Sequence, residues 1–185
     1  QQHGVPLVVR CNSVTSGLGK QDIAWAKQLT GDWALLVPKA ESVQALAQVH
    51  AALPQVPLLP LIESAQGYVA MRELAAVDGV CRLALGHLDF MADTGLQCSE
   101  DESELAPLRF EIAMATRLSG LAPAIDGVTT ALQDGERLRM DVQRALRFGF
   151  GGKLCIHPRQ VEGVHQAMQP SAEELDWAQR VVAAD

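Results

Sequence analysis

Six short apolar runs recur along the chain, and a helical pattern follows each of them. The runs are VPLVVRCN (5–12), DWALLVPK (32–39), PLLPLIES (57–64), GVCRLALGHLDF (79–90), APAIDGVT (122–129) and KLCIHP (153–158). Their length, their branched side chains and their turn-forming borders predict strands buried on both faces. Between them the spacing predicts helices over 21–29, over 41–53 with Ser42 or Glu41 as N-cap, and from the third strand to about Val77. A further helix is expected from the acidic cluster Asp101 to Glu104, where negative charge favours a helix start, through LRFEIAMATRLSG to Gly120. GERLRMDVQRALRFG reads as another, and two short helices close the chain. The second opens at Ser171 with Glu174 three residues on, the pattern of a capping box. A strand that always leads into a helix returns to its sheet in parallel, so the fold class is α/β, with a parallel sheet and helices outside it.

Two parallel architectures fit such an alternation. A doubly wound sheet puts its chemistry in a crevice at a switch point, whereas a TIM (β/α)8 barrel gathers it from the C-terminal ends of many strands. Polar residues end nearly every run here: Arg10 and Asn12, Lys39, Glu63, Asp89, Asp126 and His157. That favours the barrel. Eight strands close such a barrel, so the chain reads as about six strand-helix units of one, in a single domain over 1–185. With 185 residues, 48% of them hydrophobic, one core is the natural expectation.

Charge and cysteine usage narrow the function. The formal net charge is −7, and the 15 lysines and arginines are scattered singly, leaving no basic stripe to follow a nucleic-acid backbone. A small anionic ligand remains compatible with that balance, because a few convergent cations suffice to hold one. The four cysteines form no CxxC pair, which argues against a zinc knuckle or a disulfide framework and for a reducing cytoplasm. No apolar run has bilayer-spanning length, and residues 1–20 lack a signal-peptide core, so neither a membrane nor secretion is expected. The chain opens on Gln1 a few residues before its first strand, and more sequence is expected upstream.

The strand tips suggest a chemistry. Glu63 and Asp89 would lie on adjacent strands, and two carboxylates at a low-dielectric rim repel unless a cation sits between them. A pair of hard oxygen ligands with positions left open suits Mg2+, which can act as a Lewis acid on a hydroxy- or keto-acid. Arg10 offers a planar fork for a carboxylate or a developing enolate. Each residue also has a plainer reading. Glu63 would favour the N-terminus of the helix after it, Asp89 would cap a turn before Gly95, and Lys39 and Asn12 would be loop residues. His157, ahead of Pro158, is more often a hydrogen-bonded rim histidine than a base. The glycines of GFGGK precede the last strand, so they and Lys153 are assigned a structural role at the opposite face of the barrel.

Taken in order, LVVRCN, LLVPKAES, LPLIESAQG, LALGHLDFMADTGL, APAIDGV and GFGGKLCIHPRQV resemble the citrate lyase beta-subunit branch of the HpcH/HpaI aldolase family over almost the whole chain. The resemblance implies a Mg2+-dependent TIM barrel, a homo-oligomer (trimer or hexamer), that cleaves carbon-carbon bonds in acyl-CoA esters such as citryl-CoA, malyl-CoA or citramalyl-CoA. Coenzyme A then enters as part of the substrate. It implies Glu63 and Asp89 as metal ligands and Arg10 as the substrate-binding and enolate-stabilising arginine. Lys39 and Asn12 are added as substrate contacts from their strand-end positions. The same resemblance leads us to expect two further strands before this sequence, and a C-terminal helix over 170–185 that leads into a lid. An aldolase acting on free 2-keto-acids and a non-catalytic barrel subunit of a lyase complex are the competing readings.

Overall fold

The computed structural model describes residues 6–184. Within them lie six parallel strands: β1 (Leu7–Arg10), β2 (Trp33–Val37), β3 (Leu58–Ile62), β4 (Ala84–Leu85), β5 (Ile125–Asp126) and β6 (Gly152–Lys153). They pair in chain order, β1 beside β2 through to β6, and every pairing is parallel. Helices cross between them: α1 (Gly17–Ala26), α2 (Val43–Ala52), α3 (Ala65–Ala75), α4 (His87–Thr94), α5 (Ala106–Leu118) and α6 (Gly135–Arg147), with α7 (Arg159–Met168) and α8 (Ala172–Ala184) at the end. Sequential parallel order with one hand of crossover keeps the helices on one side and curls the sheet into half a barrel. Val5, the expected start of the first strand, lies outside the described residues.

The side chains of the strands divide as a period of two requires. Leu35, Val37, Leu58, Ile62, Leu83 and Leu85 face the helices and pack with Leu46, Met71, Leu74, Leu108 and Ile112 in the principal core. Leu36, Leu59, Leu61 and Ala84 form a second, smaller cluster on the inner face. Both faces of β3 are therefore apolar, which is why its sequence shows a run rather than an alternation.

Several expected boundaries move, each for a local reason. α1 begins at Gly17 rather than at 21, because Ser16 Oγ accepts the Gly19 N–H at 3.0 Å and caps it. Ser42, not Glu41, caps α2, accepting the Ala45 N–H at 3.2 Å. The acidic stretch before α5 does not start that helix. It forms a 3-10 turn over Ser103–Leu105, and Asp101 and Glu104 accept hydrogen bonds from Ser99. The capping box forms: Glu174 N–H donates to Ser171 Oγ at 3.1 Å and Ser171 N–H donates to Glu174 Oε2 at 2.8 Å. The largest difference concerns GVCRLALGHLDF, expected as one strand over 79–90. Only Ala84–Leu85 joins the ladder beyond a single bridge at Val80, and the chain turns into α4 at His87. No helix among the described residues is long and apolar enough to cross a membrane.

Candidate functional site

A cavity of about 410 Å³ opens at the C-terminal ends of β1 to β4 and is lined by Arg10, Cys11, Asn12, Ser13, Pro38, Lys39, Glu63 and Asp89. All five residues singled out from the sequence, Arg10, Asn12, Lys39, Glu63 and Asp89, therefore meet at one place. Asp89 arrives there differently from expectation. It sits in the first turn of α4, not on a strand tip, because the helix starts two residues after β4 ends.

Glu63 is the most constrained of the five. It follows β3 directly, is 2% exposed, and its Oε1 accepts the backbone N–H of Lys39 at 2.8 Å. Its Oε2 is buried with no hydrogen-bond partner. Burial pushes the carboxyl above its usual range, the Lys39 N–H works against that shift, and the charge of Asp89 adds to it. Lys39 delivers its N–H from a left-handed backbone conformation, φ 48°, which costs a non-glycine residue roughly 1–2 kcal/mol. Gly86 lets α4 approach: a Cβ there would stand 2.6 Å from Glu63 Cβ and 2.8 Å from Oε2.

The remaining lining residues are held by their neighbours. Asn12 donates from both its backbone N–H and its Nδ2 to Asp22 Oδ2, at 2.7 and 2.8 Å, which ties the loop after β1 to α1. Arg10 ends β1, in register with Leu36. Burial pushes the Cys11 thiol up to about 11, so it stays protonated at neutral pH and offers no thiolate nucleophile. Asp93, in the last turn of α4, accepts the Ala65 N–H at 2.8 Å and joins α4 to the first turn of α3. His157 lies outside this cavity; its Nδ1 accepts the Arg159 N–H at 3.1 Å, the plainer of its two readings.

On the other side of α4 lies a buried ionic cluster that local sequence patterns do not reveal. Arg109, 1% exposed, donates from Nε to Asp126 Oδ1 at 3.1 Å and from Nη2 to Glu102 Oε2 at 2.6 Å. Arg144 reaches the same Glu102 oxygen at 2.9 Å, and Thr129 and Arg137 hold Asp141. The side chain of Lys153 is buried here too. It does not stay at the far face of the barrel, because β6 carries it into register with Asp126, and its Nζ donates to Gly127 O at 2.7 Å. A wider cleft of about 680 Å³ borders the cluster, between His87, Met91, Glu102, Thr129 and Arg137. Asp126 was visible as a polar strand end, but nothing local in the sequence pairs it with an arginine from α5.

Known proteins share this arrangement of chain and fold. The chain is 31% identical, over 96% of its length, to a (3S)-malyl-CoA thioesterase of Cereibacter sphaeroides, of which it covers 61%. It is 32% identical to the citrate lyase subunit beta of Leuconostoc mesenteroides subsp. cremoris, over 96% of this chain and 62% of that protein. It thus spans about three fifths of the length of these curated relatives. Among solved structures, RipC from Yersinia pestis superposes with a TM-score of 0.84 at 30% identity, covering 92% of this chain and 80% of that one. The protein CitE from Mycobacterium tuberculosis, in complex with magnesium, acetoacetate and coenzyme A, gives 0.79 at 31%, with 96% and 66% covered. Residues 1–158 match the HpcH/HpaI aldolase/citrate lyase family, and the chain belongs to that family.

Proposed function

We propose that the cavity at Glu63 and Asp89 is the centre of a Mg2+-dependent carbon-carbon lyase. Its substrate would be a 3-hydroxyacyl-CoA of the citryl-CoA, citramalyl-CoA or malyl-CoA type, cleaved to acetyl-CoA and a 2-keto-acid. One observation carries the reading: a buried carboxylate oxygen, Glu63 Oε2, has no partner and shares its cavity with a second carboxylate, Asp89. An orphaned anionic oxygen is strongly unfavourable unless a cation completes it. Among the described residues no group of three or more His, Cys, Asp or Glu side chains is placed to hold a metal ion by itself. Two hard oxygens with the other ligands left to water and substrate fit Mg2+ better than a metal that wants a closed protein cage. The complex of the Mycobacterium tuberculosis relative with magnesium, acetoacetate and coenzyme A supports the same choice.

Glu63 and Asp89 would hold the ion, which when bound supplies Lewis acidity to substrate oxygens. The rest falls to this chain's own residues. Lys39 N–H holds Oε1 of Glu63, which leaves Oε2, beside Gly86, as the oxygen without a partner. Asp22 fixes the Asn12 loop beside it. Arg10 presents two parallel N–H donors to a carboxylate or to the thioester oxygen. In the cleavage the hydroxyl gives its proton to a base and its oxygen becomes the carbonyl of the keto-acid as the carbon-carbon bond breaks, and the electron pair of that bond enters the acetyl thioester as an enolate that is then protonated at carbon. Arg10 and the Lys39 ammonium stabilise the negative charge as it grows on the thioester oxygen. This reading takes the protein as a homo-oligomer, trimer or hexamer, which sedimentation would size.

A second reading is thioester hydrolysis, favoured by the name of the malyl-CoA thioesterase relative. One experiment separates them. The protein is incubated with malyl-CoA, citramalyl-CoA or citryl-CoA, with Mg2+ or with EDTA, while keto-acid and free thiol are followed together. Keto-acid without thiol, abolished by EDTA, is the expected result. Thiol without keto-acid assigns hydrolysis, and turnover indifferent to EDTA removes the metal from the chemistry.

A further inference from the structure

α4 has only eight residues and no side-chain cap: its N-cap is Gly86, whose backbone stands against Glu63. A helix this short takes its rotation from its packing contacts: Phe90 in the core and the Asp93–Ala65 bond hold its later residues, and His87 is the buried side chain of its first turn. Yet its rotation decides whether Asp89 faces the cavity. His87 and Asp89 are two residues apart, about 200° around the helix axis at 3.6 residues per turn, so they point to opposite sides. Whatever seats His87 therefore aims Asp89.

The seat of His87 is built from both sides. Its side chain is almost wholly buried, and the Nδ1 edge of its ring abuts Gly127, where a Cβ would come within 2.0 Å of Nδ1 and 2.8 Å of Cε1. Lys153 Nζ holds the Gly127 carbonyl from behind at 2.7 Å. Across the ring, Nε2 faces Glu102 Oε1 at 3.9 Å, and Glu102 is itself clamped by Arg109 and Arg144 at 2.6 and 2.9 Å. Each wall is thus held by partners of its own. We infer that His87 is a positioning residue: wedged between Gly127 and the Glu102 cluster, it sets the rotation of α4 and so presents Asp89 to the metal cavity.

This inference deepens the Mg2+ reading of Glu63 and Asp89 and rests on it. The test measures Mg2+ affinity by calorimetry in the wild-type protein and in Gly127→Ala, His87→Ala, the double variant and His87→Gln, each below its melting transition. A methyl group at 127 cannot coexist with the seated imidazole, so Gly127→Ala should weaken Mg2+ binding tenfold or more. His87→Ala should weaken it as well. The defining expectation is non-additivity: in the His87→Ala background, Gly127→Ala should cost nothing further, since the ring it displaces is gone. His87→Gln, which keeps a donor toward Glu102, should recover part of the affinity. Variants that melt earlier but bind Mg2+ like the wild type would overturn the proposal and leave His87 a stability residue only. Additive losses in the double variant would overturn it equally. A wild-type protein that binds no Mg2+ is a distinct outcome: it removes the Glu63 and Asp89 reading, and this inference with it.

Discussion

A carboxylate that is 2% exposed, with one oxygen unbonded and a second carboxylate in the same cavity, works against folding. Glu63 nevertheless keeps the strained backbone of Lys39 beside it as its hydrogen-bond donor. Such a combination is expected where a site is held ready for a ligand at some loss of stability. Two substitutions follow from it. Glu63→Gln keeps an acceptor for the Lys39 N–H but removes the buried charge. It should lower Mg2+ affinity by more than the roughly 10–100-fold typical of losing an outer partner, while the melting temperature holds or rises. Calorimetry and a thermal melt on the same sample check both halves, and a lower melting temperature would mean that Glu63 is chiefly a structural residue. Gly86→Ala acts by crowding. Its methyl group would meet Glu63 at 2.6 Å, so about 1–3 kcal/mol of stability should be lost in urea unfolding, together with metal affinity.

At the scale of elements, the site depends on how α3 and α4 are joined. The first N–H groups of a helix lack intrahelical partners. In α3, Ser64 Oγ accepts from Gly67 at 3.1 Å, and Asp93, reaching over from α4, accepts from Ala65 at 2.8 Å. Asp93→Ala should cost about 0.5–2 kcal/mol, the range for losing a capping acceptor. Hydrogen exchange should show the Ala65 amide losing its protection first; unchanged exchange there would mean that the two helices are not coupled through this bond. The strands themselves were legible in the sequence, because short apolar runs bounded by turn residues are what a parallel sheet buried on both faces requires. The start of α4 was not. Gly86 gives no side-chain start signal, and the apolar pattern of GVCRLALGHLDF runs unbroken from strand into helix. Asp89 therefore reads as a strand tip although it stands on a helix. The acids before α5 mislead in the opposite sense, since Asp101 and Glu104 look like helix-start charges but bond within their own loop.

Across the whole molecule, the β4 to β6 half is held together differently from the rest, since its strands shrink to two residues each. So little ladder supplies few hydrogen bonds, and the inner-face cluster is small. Charged groups from four places in the chain compensate in part, with Glu102 before α5, Arg109 within it, Asp126 on β5 and Arg144 on α6 joined in one network. Pairing of this kind is invisible to local pattern, because an arginine on a helix reads by default as solvated surface and finds its carboxylates only in the folded chain. The energetic consequence is asymmetric. Removing one partner of a buried ion pair leaves the others uncompensated and costs about 3–5 kcal/mol, whereas replacing the whole set by neutral groups of similar shape costs far less. Arg109→Met should therefore lower the melting temperature by roughly 6–20 °C for a chain of this size. Adding Glu102→Gln and Asp126→Asn to that variant should restore part of the loss, because Asp126 is then no longer a buried charge without Arg109, while Arg144 keeps Asp141 at 3.0 Å once Glu102 is neutral. Urea melts of the single and triple variants discriminate: a single variant within about 1 kcal/mol of wild type would show that these charges are solvated and that the short strands are held by packing, whereas a triple variant worse than the single would show that the carboxylates are held by Arg144, Arg137 and Lys153 without Arg109.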